Sequence, residues 1–207
     1  MLERILVVAR LILLPVLASA SGSEPGEQFT SPLGFHFGKA TLKDIQAKLG
    51  PTALGKSGDA GNFLARICYA LPDSKIFLEF MSGALGGAEH DLLGFRMREV
   101  SGKAPRQCLP LLRSIANGLD LAVGGLRLGM GRSEFEKVLS LTSDRVKPIT
   151  GRRFQRRERL SADDIRRLSR EWPGVEQDPY YDVSISVEGK FAGDRLVELE
   201  IWKTKTL

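Results

Sequence analysis

The chain has only two cysteines and two histidines among its 207 residues, and this scarcity excludes several kinds of chemistry. A histidine-rich metal centre needs more than His36 and His90. His36 alternates with Phe35 and Phe37, which reads as the solvated position of a short strand. His90 lies in Glu89-His90-Asp91 on a glycine-rich loop, where side chains of adjacent residues point apart and do not easily converge on one ion. No Gly-x-Ser-x-Gly elbow, phosphate loop or His-Glu-x-x-His helix is present. The glycines at 83, 86 and 87 lack the helix and spacing of a dinucleotide loop. The expectation is a protein that is not an enzyme and uses no cofactor or metal. A carboxylate pair assembled from distant positions would escape such motifs, so an envelope hydrolase stays as the lesser alternative.

The chain also lacks any low-complexity tract, and it has no apolar run long enough to cross a bilayer. The longest uninterrupted stretch near the start covers residues 11–18, against the roughly 20 residues a spanning helix needs. What residues 1–20 do carry is Arg4, a short apolar core and an Ala18-Ser19-Ala20 ending. That is the pattern of a secretory signal peptide cut after Ala20, and a membrane anchor is the competing reading. Residue 21 is serine, so no lipid-attachment cysteine follows the cut. The product is expected to be soluble and periplasmic or secreted. For an exported chain, nucleic acid drops out as a partner, and a protein or another anionic envelope component takes its place.

In an oxidising compartment a lone pair of cysteines, Cys68 and Cys108, is most simply a disulfide; two unconnected thiols are the alternative.

Residues 21–32, rich in Ser, Gly, Pro and Glu, read as a flexible leader. Thereafter the chain says similar things twice, over residues 33–119 and 120–207. The first half opens with Gly34-Phe35-His36-Phe37-Gly38, then Thr41-Leu42-Lys43-Asp44-Ile45 and Leu49-Gly50-Pro51. The second opens with Gly125-Leu126-Arg127-Leu128-Gly129, then Arg132-Ser133-Glu134-Phe135 and Val138-Leu139. Each predicts a short strand, a glycine turn and a short helix, with Thr41/Asp44 and Ser133/Glu136 at capping-box spacing. Alternating segments at 76–80, 92–97, 183–187 and 196–201 predict an antiparallel meander ending each half. In the last, Val197, Leu199 and Ile201 share one face, and Leu196 falls on the polar side. A helix over 109–116 is expected between the halves, and another starting at Ser161 with the stripe Ala162, Ile165, Leu168 and Trp172. The fold class is α+β: two tandem repeats of helices on antiparallel sheet, the second carrying an inserted helix.

On those residues, Phe35-His36-Phe37-Gly38 with Leu49-Gly50-Pro51 and Leu126-Arg127-Leu128-Gly129-Met130 with Leu139, the chain resembles the repeat of the β-lactamase inhibitory protein family. It is also similar to the small lipoprotein of the outer-membrane β-barrel assembly machine. The resemblance implies helices packed on an antiparallel sheet used to hold other proteins. Three departures stand beside it: no lipid-attachment cysteine, no Gly-Pro ending in the second copy, and the extra helix. No family binding residue is carried over.

Charge is concentrated. Residues 145–170 hold ten basic residues against Glu158, Asp163 and Asp164, a surplus of seven in a chain whose net charge is +5. Arginine dominates, which suits bidentate pairing with carboxylate or phosphate. Arg152, Arg153, Arg156, Arg157 and Arg159 are the candidate partner-facing patch, on an arm that Phe154 and Leu160 could anchor. A solvated face is the alternative, since charge runs often are one. Phe35, Phe37, Tyr180 and Tyr181 are candidate aromatic anchors, or simply core. The expected function is an exported, non-enzymatic binding module that recognises an acidic or anionic partner. An inhibitor or immunity-type protein of a secreted enzyme is the alternative.

Overall fold

The structure is a computed structural model and describes residues 24–59, 61–72, 74–100, 108–141 and 149–207. The signal-peptide reading, and Arg145 and Lys147 of the basic segment, lie outside these residues. The chain is α+β. Its centre is one eight-stranded sheet in the order β1-β2-β3-β4-β8-β7-β6, with β5 beside β2. The strands are β1 (Gly55–Ser57), β2 (Leu64–Ala70), β3 (Ile76–Gly83), β4 (Gly94–Glu99), β5 (Leu109–Pro110), β6 (Ile149–Arg159), β7 (Tyr180–Ala192) and β8 (Arg195–Thr206). Two antiparallel meanders, β2-β3-β4 and β6-β7-β8, meet where β4 pairs antiparallel with β8 from Gly94↔Trp202 to Arg98↔Glu198. Among the described residues no helix is long and apolar enough to cross a membrane.

Helix α1 (Leu42–Leu49) starts where the capping box predicts. Thr41 Oγ1 accepts from the Asp44 N–H at 3.1 Å, and the Asp44 carboxylate accepts from the Thr41 N–H at 2.8 Å. Leu42, Ile45 and Leu49 are buried, and Gly50, at φ 107°, ends the helix. The second capping box is not formed. Helix α3 (Arg132–Val138) begins earlier, behind Gly131, and Ser133 sits inside its first turn. The β7–β8 turn supplies the cap instead, because the Arg132 N–H donates to the Asp194 carbonyl at 2.9 Å.

The expected opening strands are loops, although their burial alternates as predicted: Phe35 and Phe37 are buried and His36 is exposed. Positive φ at Gly34 and Gly38, and at Gly125 and Gly129, curls the backbone away from a ladder. The curl is the same in both halves. Phe35 N–H donates to Pro32 and Leu126 N–H to Val123; Gly38 N–H donates to Leu92 and Gly129 N–H to Leu196. Leu92 N–H then returns to Ala40, and Leu196 N–H to Met130. Each pre-helix loop is therefore stitched to the entrance of its own half's last strand.

Three further expectations change. Residues 109–116 are not one helix: Leu109–Pro110 runs parallel to Tyr69–Ala70 as β5, and only α2 (Arg113–Ala116) is helical. The reason is the bond between Cys68 and Cys108, Cα atoms 4.5 Å apart, which draws this segment onto the edge of β2. Leu196 is fully buried, because the register shift at Lys190/Phe191 leaves Val197 without a partner and returns Leu196 to the core side. From Glu24 onward the leader is packed, since Phe29 is fully buried and its ring lies 5.6 Å from that of Phe154. Helix α4 (Ala162–Leu168) is capped by Ser161 as expected, but Trp172 lies beyond its end and is 53% exposed.

One core runs through both halves, from Phe35, Ile45 and Phe80 to Phe135, Ile185 and Ile201. The described helices all pack on that side of the sheet. Among the described residues the other face has no helix over it.

Candidate functional site

Along β6 side chains alternate between the two faces, and this divides the five candidate arginines. Arg153, Arg157 and Arg159 are exposed on the helix-free side, whereas Arg152 and Arg156 turn toward the helices. They do not form one patch. Arg152 donates to the carbonyls of Leu139 and Ser140 at 2.5 and 3.0 Å, satisfying the end of α3. Arg156, with its side chain 12% exposed, pairs with Glu24, Glu27 and Glu158 at 2.9, 2.7 and 2.6 Å. These two hold the fold. Arg157 pairs with Asp178 and lies 4.5 Å from the Tyr180 ring centre. Arg153 and Arg159 have no partner among the described residues.

The cross-strand register gives the helix-free face its rows. One row reads Gly94 (β4), Trp202 (β8), Ser186 (β7), Arg153 (β6), and the next Thr204, Ser184, Gln155. The Trp202 ring lies flat over Gly94, where a Cβ would come within 2.7 Å of it. Only serines of β7 stand between Trp202 and Arg153 in these rows, so β7 lies low between them. Two hollows open along its β6 side. One, of about 300 Å³, is lined by Gly151, Arg153, Ser186 and Glu188. The other, of about 500 Å³, is lined by Gln155, Arg157, Asp182 and Ser184. Gly151 is obligatory there, because a Cβ would overlap the Val187 carbonyl.

Across β3, β4 and β8 the same face carries a charge ladder. Glu79, only 3% exposed in its side chain, pairs with Arg96 at 3.2 Å and Arg98 at 3.6 Å. Arg96 continues to Glu200 at 2.6 Å. Neither this ladder nor Trp202 stands out in the linear sequence as a motif. The only available signal is opposite charges alternating with apolar residues in two segments, Arg96/Arg98 and Glu198/Glu200.

On the helix side, Glu158 takes up the end of the sheet. Burial alone would raise its carboxyl, but hydrogen bonds from Lys205 and Arg156 and the charges of Lys203 and Lys205 pull it down to about 2. A carboxylate depressed below its ordinary 4.5 stabilises the fold above pH 4.5, and that contribution is lost as pH falls toward 2. After allowance for partial solvent screening it is worth about 1–2 kcal/mol. Glu158→Gln should therefore flatten the acid limb of a stability–pH curve between those values, and an unchanged limb would refute the assignment.

Phe35 and Phe37 are core, and Tyr180 is exposed beside Arg157, so the four candidate aromatic anchors share no surface. His36 Nδ1 is 2.6 Å from the Ser31 hydroxyl, and His90 stacks on Phe63. Among the described residues no three His, Cys, Asp or Glu side chains are grouped to hold a metal ion. A larger groove of about 820 Å³ lies between α4 and the loop at 84–93, with Leu85, Trp172 and Leu207 exposed in it. Its cations are already engaged: Arg167 with Asp164, and Lys203 and Lys205 with Glu158. Compared with models of protein families, with curated proteins and with solved structures, the chain matches none.

Proposed function

We propose that this chain is a non-enzymatic protein-binding module working outside the cytoplasm, and that the helix-free face of β8-β7-β6 recognises an acidic partner. The observation that carries the reading is the unpartnered guanidinium group of Arg153 at the hollow over Ser186, with a second unpartnered arginine, Arg159, further along the same face of β6. The resemblance to repeats that hold other proteins supports the same reading. The disulfide supports an oxidising compartment, in line with the export pattern of the first twenty residues.

The test is capture from an envelope extract by the wild type and by Arg153→Glu/Arg159→Glu. Arg152 and Arg156 stay untouched, because reversing them would break the cap of α3 and the Glu24–Glu27–Glu158 cluster. The expected result is one partner retained by the wild type and lost by the double variant. Its affinity should fall steeply between low and moderate salt, where the screening length contracts toward about 10 Å. Equal capture by both proteins, or binding indifferent to salt, would refute the reading.

A further inference from the structure

The two ends of the sheet are finished differently. At one end the outermost strands are β1, three residues long, and β5, two residues long with Pro110 as its second. Both are ordinary ways to blunt an edge against further pairing. At the other end β6 runs for eleven residues. It is paired inward to β7 without a break from Ile149↔Lys190 to Arg159↔Tyr180. No strand lies on its outer side among the described residues. Residues 149–159 contain no proline, no lysine and no bulge. Because an antiparallel strand directs its N–H and C=O groups alternately to its two sides, roughly half of this backbone faces outward as a template.

The arginines decide what can use it. A second copy of β6 would bring arginine against arginine, which disfavours self-pairing. The helix-side face of β6 is already filled, since Phe29 covers Phe154, and Arg152 and Arg156 are bonded internally. Only the helix-free side offers charge to a newcomer, from Arg153 and Arg159, both exposed and without a partner among the described residues, whereas Arg157 is already paired with Asp178. Arg153 and Arg159 lie on one face of β6, and a strand laid along the edge has the same two-residue period, so a segment with carboxylates at every second residue would place two of them against those guanidinium groups.

From this placement we infer that the outer edge of β6 accepts an extended, acidic segment of a partner polypeptide as a ninth strand. The inference rests on the protein-binding reading above and names the form in which the partner arrives.

A short synthetic peptide alternating Glu and Thr is the probe, with an alternating Lys and Thr peptide as its control. Binding of the acidic peptide to the whole protein should slow hydrogen exchange at every second backbone amide of residues 149–159. Arg153→Glu/Arg159→Glu should weaken that binding by about tenfold, the sum of two exposed charge contacts reversed. Acidic-peptide binding without the alternating protection would overturn strand addition and leave acidic recognition standing. Equal binding of the Lys peptide, or no binding of either, would overturn the inference outright. The capture experiment reports separately on the protein-binding reading.

Discussion

Replacing Cys68 and Cys108 with alanine should lower the stability of the protein by about 4 kcal/mol. The bond spans a sequence separation of 40, and in the chain-entropy account that much constraint on the unfolded chain is worth roughly this amount. Against a total of about 5–15 kcal/mol for a domain of ordinary stability, the loss is large. Its native consequences are local. Cys108 stands immediately before β5, whose two residues pair with Tyr69 and Ala70, so the bond fixes the entry to a strand otherwise held by those pairs and by the burial of Leu111. The sulfurs also pack with Phe77 at the edge of the helix-free face. Denaturant titration of the wild type and the double alanine variant reads the global effect. Hydrogen exchange reads the local one: amides around residues 109–111 should exchange faster by more than the common increase that the global loss brings to the core amides of β6 to β8. A global loss under about 1 kcal/mol would mean that the unfolded chain is already restricted across this loop.

That disulfide also shows where a sequence reading stops. Two cysteines in an oxidising compartment suggest a bond, but nothing in residues 109–116 says that the bond converts their first turn into a strand. The apolar spacing there suits a helix; proximity to β2 overrides it. The paired loops at Phe35–Phe37 and Leu126–Leu128 teach a related lesson. Alternation reports which side chains face the core, and that much was legible. It does not report where the backbone hydrogen bonds go, and the left-handed glycines on either side send them into turns. In β6 the limitation is different again. Phe154 alone marks a face, so the arginines around it could all be imagined facing solvent, whereas the strand period divides them into structural and free sets. The row of Trp202, Ser186 and Arg153 depends on the register of three strands drawn from distant positions, and no single segment encodes it. By contrast α1, with its reciprocal cap and three buried residues at helical spacing, could be read almost to the residue.

Phe80→Ala and Phe135→Ala, one in each half, should each cost about 3–5 kcal/mol and should shift the same single unfolding transition. Phe80 is fully buried on β3, with the rings of Phe35, Tyr69 and Phe95 at 5.8, 6.1 and 5.3 Å. Phe135 is fully buried on α3, edge-on to Phe191 at 5.3 Å. Its ring lies against the bare backbone of Gly189, where a Cβ would come within 2.8 Å of it. Neither site can collapse easily, since strand backbones and neighbouring rings bound both, so the cavities persist. The shared transition follows from the seam. β4 and β8 pair directly, and Phe95 and Met97 share a core with Leu199 and Ile201. Unfolding either half would strip that seam and expose those residues, at a cost neither half can bear alone. Two resolved transitions, or a Phe135→Ala change that leaves the first half's amides fully protected, would show that the halves fold separately. Arg153→Glu/Arg159→Glu, by comparison, touches only exposed and unpaired side chains and should leave the midpoint within the small range typical of surface changes. Loss of a partner by that variant, with stability kept, then reports on recognition rather than on folding.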